Sequence, residues 1–289
     1  MKPEKNTTYS DKVSIENLRA KKGKDKITML TCYDVSFARI LDQAGIDIIL
    51  VGDSMANVVL GLEKTKEVSF KEMFNHTKAV RKAVRRSLLV ADMPYVSYQA
   101  NRKKALYYAR KFIEEAGADA VKIEWFKYGR EVTKMLVKNK IAVMGHIGLT
   151  PQTADKLGGF RVQGKDAKRA EELINQAVIL QDAGVFSMVI ECVPAKITKL
   201  ITQRVTVPTI GIGAGEFCDG QVLVLYDLLG LYDKLHPRFV RTYVDLSSLV
   251  REKLVEFVSD VKKGTFPSPA ESFSISEEEL AKLKDIFKN

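Results

Sequence analysis

Carboxylate side chains follow three apolar runs of the 289-residue chain. Asp53 comes directly after "IILVG", Asp92 follows "SLLVA", and Glu124 ends "AVKIE". Carboxylate oxygens are ligands that Mg²⁺ prefers, and Mg²⁺ keeps coordination positions for water and substrate oxygens. A divalent ion would also withdraw electron density from a substrate carbonyl and ease the formation of an adjacent enolate. We therefore predict that these three acids form a Mg²⁺ site.

Three further polar side chains also lie at or near the ends of apolar runs. Lys122 shares a strand with the third acid, two residues away, so both side chains point to the same side. Glu191 ends "SMVIE" and is free to act as a general base, because it is not needed in the metal site. His146 follows "AVMG" and is either a site residue or an ordinary packed histidine. No role is assigned to His76 and His236.

The apolar runs alternate with amphipathic segments along most of the chain. Three of the junctions are alike, with Ala-Gly at the end of a helical pattern and an apolar run shortly after it: "AGIDIILVGD", "AGADAVKIE" and "AGVFSMVIE". Glycine is common just beyond a helix. The predicted strands are 28–32, 47–51, 87–91, 119–123, 141–145, 186–190 and 208–212. The predicted helices between and after them are 35–44, 69–86, 100–116, 128–138, 166–182, 194–203 and 218–229.

Seven such units favour a closed (β/α)8 TIM barrel over an open sheet. Residues 230–240 are the best candidate for the eighth strand. The chain is expected to form a single barrel domain over 1–289, with a polar segment at 1–26 and a helical extension at 243–289. This extension contains two predicted helices, 243–262 and 276–288.

In a parallel barrel, the carboxyl ends of all strands lie at one face, where the active sites of this fold are found. The fold prediction therefore brings the polar residues of five neighbouring strands together. A single acid could equally be a helix cap or a turn residue, but that interpretation is less able to explain polar residues at the ends of five strands. The long loop 145–164 is expected to cover the substrate. The glycines of "PTIGIGAG" (208–215) do not match a dinucleotide fingerprint.

Composition narrows the class of protein. The net charge of +10 could indicate a nucleic-acid-binding barrel, but the basic residues are spread over helix faces without a basic stripe. No apolar stretch is long enough to span a membrane, and the N-terminus lacks the pattern of a signal peptide. The scattered cysteines, Cys32, Cys192 and Cys218, favour reduced thiols in the cytoplasm.

The chain resembles the ketopantoate hydroxymethyltransferase family from about Ile27 to Pro267. The most specific segments are "LTCYD", "LVGDS", "VADMPYVSYQ", "VMGHIGLTPQ", "GGFRVQG" and "PTIGIGAGEFCDGQVLVLYDLLG". The chain differs from the family pattern beside the site positions, at Met55-Ala56-Asn57, at Val96 and at Trp125-Phe126. We expect these changes to affect loop shape and the fit of substrate or folate.

The resemblance implies a (β/α)8 barrel in a large homo-oligomer, usually a decamer. It implies a Mg²⁺-dependent transfer of a hydroxymethyl group from 5,10-methylenetetrahydrofolate to 3-methyl-2-oxobutanoate, in the biosynthesis of pantothenate. It also implies site residues: metal ligands at Asp53, Asp92 and Glu124; contacts to the 2-oxo acid at Asp53, Ser54, Asp92, Lys122 and His146; and the proton acceptor at Glu191. The alternative is a related Mg²⁺-dependent carbon–carbon lyase or aldolase that acts on another 2-oxo acid.

Overall fold

The protein is described by a computed structural model that covers residues 12–234 and 237–287. Residues 1–11 of the predicted polar segment, His236 and residue 288 of the last predicted helix lie outside the described residues.

Eight parallel strands close into a barrel in chain order, so the (β/α)8 prediction is confirmed. The strands are β1 (Ile27–Thr31), β2 (Ile48–Val51), β3 (Leu88–Asp92), β4 (Ala120–Glu124), β5 (Val143–Gly148), β6 (Ser187–Glu191), β7 (Thr209–Ile212) and β8 (Gly220–Leu223). The register pairs Asp92 with Lys122, and it pairs Glu124 with His146. Neighbouring strands therefore present these polar residues at the same height.

Helices surround the strands at most of the predicted positions. The described α-helices are α1 (Ile15–Ala20), α2 (Val35–Gln43), α3 (Met55–Val58), α4 (Phe70–Arg81), α5 (Tyr95–Tyr98), α6 (Ala105–Arg110), α7 (Gly129–Lys138), α8 (Ala167–Ala183), α9 (Ala195–Arg204), α10 (Leu225–Leu228), α11 (Leu246–Lys263) and α12 (Glu277–Ile286). Helix α4 begins with a capping box formed by Ser69 and Glu72. A π-helical turn, Lys111–Glu115, continues α6.

The expected position of the eighth strand was wrong. It is not in 230–240 but at 220–223, inside a segment whose apolar pattern predicts a helix. Gly220 lies so close to β1 that a Cβ atom there would be 2.4 Å from the carbonyl oxygen of Ile27. Pairing with β1 and β7 therefore fixes this segment as a strand. Only α10 remains of the predicted helix.

The barrel interior is apolar below the polar ends of the strands. Alternate strand residues, such as Val90, Ala120 and Val189, form one cluster of buried side chains. Val13 and Leu18 belong to the same cluster, so the segment around α1 covers the N-terminal end of the barrel. Full burial of a valine or leucine side chain in this cluster stabilises the fold by about 1.5–3 kcal/mol.

The described residues divide into two compact units. The barrel unit contains residues up to 228 together with 232–234 and 237–241, and the second unit contains 229–231 and 242–287. The second unit is built from α11 and α12. Whether the chain is one barrel domain with a helical extension stays a prediction. None of the described helices has the length and apolar character that a membrane crossing requires.

Candidate active site

A cavity of about 430 Å³ lies at the carboxyl ends of the strands. Six of the predicted site residues line it: Asp53, Ser54, Asp92, Lys122, His146 and Glu191. Glu124 is buried beside this lining, with its Oε1 atom 3.9 Å from Nδ1 of His146. The structure thus brings all seven predicted residues into one region.

Two aspartates and a lysine form a buried group: Asp53 follows β2, Asp92 ends β3, and Lys122 lies in β4. The ammonium group of Lys122 lies 2.5 Å from Oδ1 of Asp92, and Oδ2 of Asp92 accepts a hydrogen bond from the backbone N–H of Asp53. Burial and the nearby Asp92 carboxylate raise the pKa of Asp53 to about 7. Burial opposes the charge of Lys122, but the surrounding carboxylates outweigh it and raise the pKa of this lysine.

The third predicted metal ligand, Glu124, belongs to a hydrogen-bond network with residues that the strand pattern does not identify. Its Oε1 accepts a hydrogen bond from the backbone N–H of Gln152, and its own N–H donates to Oη of Tyr98. The Gln152 amide also donates to Oδ2 of Asp53 at 2.8 Å. Oε2 of Glu124 has no hydrogen-bond partner among the described residues, and burial raises the pKa of this carboxyl well above its usual range.

Glu191 and His146 face each other across β5 and β6. Nε2 of His146 lies 3.2 Å from Oε2 of Glu191, although the two groups are not oriented for a hydrogen bond. Burial raises the pKa of Glu191 to about 8. Burial also lowers the pKa of His146 well below its ordinary value, so the imidazole is neutral. A carboxyl with a pKa near neutrality is suited to proton transfer.

Ser54 lies at the edge of the cavity, at the start of α3. Its Oγ is 2.9 Å from Oη of Tyr33, which also donates to Oγ1 of Thr31. Burial raises the pKa of Tyr33 above its ordinary value, which keeps its hydroxyl protonated. The hydroxyl of Ser54 is therefore held by the barrel rather than by the helix that it precedes.

The loop that follows β5 supplies part of the cavity wall. Gly148, the last residue of β5, has a φ of +92°, and a Cβ atom there would lie 2.2 Å from the carbonyl oxygen of Glu191. Only glycine fits this approach between β5 and β6. Beyond it, Phe160, Arg161 and Val162 line the cavity. The expectation that this loop covers the substrate stays a prediction.

The residues present suit a divalent cation in their chemistry. Asp53, Asp92 and Glu124 offer only oxygen ligands, and the unpartnered Oε2 of Glu124 is a buried acceptor. Burial raises the pKa of two of these carboxyls, which a bound cation would reverse. As the side chains are placed, no three His, Cys, Asp or Glu residues in the described ranges form a metal cluster. Gln152 and Lys122 instead contact Asp53 and Asp92.

The residues that sequence reasoning missed are Gln152, Tyr98 and Tyr33. They are located in loops or short helices, where no periodicity indicates which side chain points inward. The segments that carry the family resemblance do contain them, and this is the signal that could have identified them.

Comparison with known proteins supports the same family as the sequence resemblance. A sequence model of the family described as ketopantoate hydroxymethyltransferase matches residues 12–269. The 3-methyl-2-oxobutanoate hydroxymethyltransferase of Carboxydothermus hydrogenoformans is 47% identical over 94% of this chain and 99% of that protein. The protein of the same name from Syntrophomonas wolfei is 47% identical over 91% of this chain and 95% of that protein.

Solved structures with low sequence identity share the fold. A phosphonopyruvate hydrolase has a TM-score of 0.58 at 13% identity, covering 96% of both chains. A 2,3-dimethylmalate lyase has a TM-score of 0.55 at 14% identity, covering 94% of this chain and 98% of the lyase. At this level of identity the likeness concerns the barrel alone. The sequence matches carry the assignment: the chain belongs to the ketopantoate hydroxymethyltransferase family and is an enzyme of the transferase class.

Proposed function

We propose that the enzyme transfers a hydroxymethyl group from 5,10-methylenetetrahydrofolate to 3-methyl-2-oxobutanoate, giving 2-dehydropantoate for pantothenate and coenzyme A biosynthesis. The observation that carries the proposal is the convergence of three predicted carboxylates, a lysine and an imidazole on one cavity, with the Glu124 carboxyl buried beside it, in a chain of this family. A 2-oxo acid offers two oxygens to a cation and an acidic proton on the neighbouring carbon. The chemistry of the cavity matches both features.

The proposed metal is Mg²⁺, held by Asp53, Asp92 and Glu124. When bound, Mg²⁺ supplies a Lewis acid that makes the proton next to the substrate ketone more acidic. Lys122 lies on the same side of β4 as Glu124 and compensates the negative charge of the substrate carboxylate. Ser54, with its hydroxyl anchored on Tyr33, donates a hydrogen bond to the substrate.

Glu191 is the proposed base. Its carboxylate takes the proton from C3 of the 2-oxo acid, and the electron pair of that C–H bond becomes the nucleophile. Neutral His146, 3.2 Å away, restricts the orientation of the Glu191 carboxyl and gains no charge of its own. His146 is buried and the side chain of Glu191 is only 15% exposed, which limits the access of bulk water to the proton that is transferred.

The carbon nucleophile then attacks the methylene group of the donor. One carbon–carbon bond forms as a carbon–nitrogen bond of the methylene bridge breaks. One water molecule hydrolyses the remaining bond to nitrogen, which releases tetrahydrofolate and the hydroxymethylated 2-oxo acid. No oxidant or reductant is consumed.

The proposal includes a homo-oligomer, a decamer by family resemblance, that works in the cytoplasm. An oligomer is supported by α11, which exposes large apolar side chains on the described chain: Leu249, Val250, Leu254, Val255, Phe257, Val258 and Val261. The cytoplasm is supported by the three cysteines, all of them free thiols.

The test follows deuterium exchange at C3 of 3-methyl-2-oxobutanoate by NMR, with and without Mg²⁺ and without folate. We expect Mg²⁺-dependent exchange, and loss of at least about 10²-fold in Glu191→Gln, because general-base catalysis contributes that much. Product formation is then measured with the folate donor. Undiminished exchange in Glu191→Gln would contradict the assignment of the base.

A second experiment separates this reaction from the carbon–carbon lyase alternative. Varied 2-oxo acids are supplied with Mg²⁺ but without folate, and cleavage products are measured. Cleavage of any of them at a rate above that of folate-dependent transfer would overturn the proposal. Salt-dependent binding of duplex DNA at physiological ionic strength would instead favour the nucleic-acid alternative.

A further inference from the structure

The side chain of Gln152 lies buried among the polar ends of the strands, and its amide makes four hydrogen bonds. Nε2 donates to Oδ2 of Asp53 at 2.8 Å and to the carbonyl oxygen of Met93 at 3.0 Å. Oε1 accepts from Oη of Tyr98 at 2.9 Å and from Nε2 of Gln99 at 3.1 Å. Both donors and both lone pairs of the amide are therefore used, and Gln152 is only 3% exposed.

These partners allow the amide only one orientation. With its oxygen and nitrogen exchanged, the oxygen would face the Asp53 carboxylate and the Met93 carbonyl, and both of these groups are acceptors. The nitrogen would face the Gln99 amide group, which is the donor at that contact. The hydrogen-bond network therefore makes Gln152 present an N–H group to Asp53.

The backbone of the same residue contacts a second acid. The N–H of Gln152 donates to Oε1 of Glu124 at 3.2 Å, so one residue holds Asp53, which follows β2, and Glu124, which ends β4. Oε2 of Glu124 has no hydrogen-bond partner among the described residues. Two of the three acids proposed to bind Mg²⁺ are thus oriented by one residue, and an oxygen of Glu124 is left for a ligand.

The position of Gln152 depends on a turn and not on a strand. Gln152 lies in the 3₁₀ turn Pro151–Leu157, in the loop that follows β5. The hydroxyl of Tyr98 connects this turn to the barrel, because it donates to Gln152 and accepts from the backbone N–H of Glu124. Most residues of the next part of the loop, 155–163, are exposed. The buried contacts of Gln152 therefore attach the start of this loop to the acids.

We propose that Gln152 is a positioning residue for the cation site, which orients Asp53 and Glu124 and couples them to the loop that follows β5. The inference rests on the proposed function, which includes the Mg²⁺ ion. Donors from an uncharged residue stabilise buried carboxylates without adding a competing positive charge. Residues that hydrogen-bond to metal ligands in this way typically contribute roughly 10- to 100-fold to metal affinity.

Binding of Mg²⁺ and order in the loop are then coupled in both directions. A cation that fixes the two carboxylates also fixes the acceptors of Gln152, and by thermodynamic linkage an ordered loop favours the cation. Mg²⁺ should therefore slow the hydrogen exchange of backbone amides in residues 152–159. Because this coupling passes through the Gln152 amide, it provides a measurement that is separate from activity.

The first experiment measures binding of Mg²⁺ to the metal-free enzyme by isothermal titration calorimetry, with 3-methyl-2-oxobutanoate absent and present. In Gln152→Met, which has a similar size but no amide, we expect the Kd of Mg²⁺ to rise about tenfold or more. Tyr98→Phe keeps its ring against Phe126, and Gln99 still donates to Gln152, so the rise should be smaller. Tyr98→Phe also provides the test if Gln152→Met does not fold.

The second experiment measures the coupling by hydrogen exchange and mass spectrometry. We expect Mg²⁺ to slow exchange in residues 152–159 of the unchanged enzyme, and to have a weaker effect in Gln152→Met when both proteins are saturated with the cation. A merely structural role of the side chain would lower the melting temperature but leave the Kd and the Mg²⁺-dependent protection unchanged.

The matched control is Gln181→Met. Gln181 belongs to α8, accepts two hydrogen bonds from Thr206 and does not line the cavity at the barrel mouth. Its replacement removes an amide of the same kind, and should keep both the Kd of Mg²⁺ and the protection of the loop. An equal rise of the Kd in this control would overturn the proposal, because loss of any bonded glutamine amide would then weaken the binding of Mg²⁺.

The results also separate this inference from the proposed function. An unchanged Kd in both Gln152→Met and Tyr98→Phe, with Mg²⁺-dependent C3 exchange intact, would refute the positioning role and leave the function standing. The absence of both Mg²⁺ binding and C3 exchange in the unchanged enzyme would refute the function, and the positioning role with it.

Discussion

The environment of Glu191 determines the pH at which the proposed proton abstraction occurs. Burial raises its pKa to about 8, and only the ionised form accepts a proton. We expect kcat/KM for the 2-oxo acid to rise with pH and to level off at an inflection near 8 when Mg²⁺ is scarce. Increasing Mg²⁺ should move the inflection to lower pH, because added positive charge favours the carboxylate.

Steady-state rates from pH 6 to 9.5 at several Mg²⁺ concentrations give this profile. Glu191→Asp serves as the control, since it keeps a carboxylate and should keep a pH-dependent limb at a reduced rate. A flat profile over this range would contradict the assignment of the base, because a group that is already ionised at pH 6 would be responsible.

Lys122 neutralises a buried group of acids, and its removal should destabilise the fold. In Lys122→Met, Asp92 and Asp53 lose their only close cation in the described structure, and breaking such a pair costs about 3–5 kcal/mol. Burial already raises the pKa of Asp53 to about 7, above its unfolded value. A raised folded-state pKa lowers stability as pH rises, so the loss should be larger at pH 8 than at pH 6.

Urea unfolding of Lys122→Met with EDTA present measures this loss without metal binding. The matched control is Lys134→Met, an exposed lysine of α7 whose replacement should change the free energy of unfolding by less than about 0.5 kcal/mol. A Lys122→Met loss that is equal at both pH values would mean that the buried acids do not depend on Lys122 for their charge.

The polar ends of the strands could be predicted from the sequence, and the contacts between them could not. Alternation along β4 is enough to put Lys122 and Glu124 on one side. Gln152 cannot be found in this way, because a 3₁₀ turn, Pro151–Leu157, brings its amide back to Asp53. Periodicity indicates side-chain direction only in helices and strands, so it does not predict which loop side chains point into the site.

At the scale of elements, strand β8 shows where local pattern fails. The segment after Gly220 contains apolar residues at spacings that suit a helix, and α10 does follow. Residues 220–223 nevertheless form a strand, because they close the barrel by pairing with the backbone groups of β1 and β7. The first seven strands agree with their predicted positions to within a few residues because each is a nearly continuous apolar run.

Asp219 holds the start of β8 in place, and we expect Asp219→Asn to destabilise the barrel by about 2 kcal/mol. Its Oδ2 accepts from Lys22 and from the backbone N–H of Thr209, and its Oδ1 accepts from the N–H of Gly23. Both oxygens of Asp219 accept hydrogen bonds, so either orientation of an asparagine amide would place its NH₂ group against one of these N–H donors. Thermal unfolding of the variant measures the loss.

The loss should also depend on pH. Burial opposes ionisation of Asp219, but its hydrogen bonds from Lys22 and the backbone outweigh burial and hold its pKa below the ordinary value. The stabilisation is therefore complete above the unfolded pKa of about 4 and disappears as pH falls through the folded value. The exposed Asp25→Asn is the control. Equal effects of the two substitutions would rule out a structural role for Asp219.

At the scale of the whole molecule, α11 tests the proposed oligomer. Within the described part of the chain, none of the 18 residues of this helix is buried. Its apolar side chains recur at helical spacing, with Leu254 58% and Val258 47% exposed. Contiguous apolar surface of this kind marks association sites in soluble proteins.

If the protein forms the proposed decamer, we expect Leu254→Lys to reduce its mass to that of a smaller species, because a buried unpaired lysine charge opposes contact between copies. Light scattering after gel filtration gives the mass, and circular dichroism checks that helix content is kept. Glu252→Lys is the matched control: it introduces the same side chain on the opposite face of the helix and should leave the mass unchanged. A Leu254→Lys protein of unchanged mass would remove α11 from the interface, and the exposed apolar face would then need a different partner.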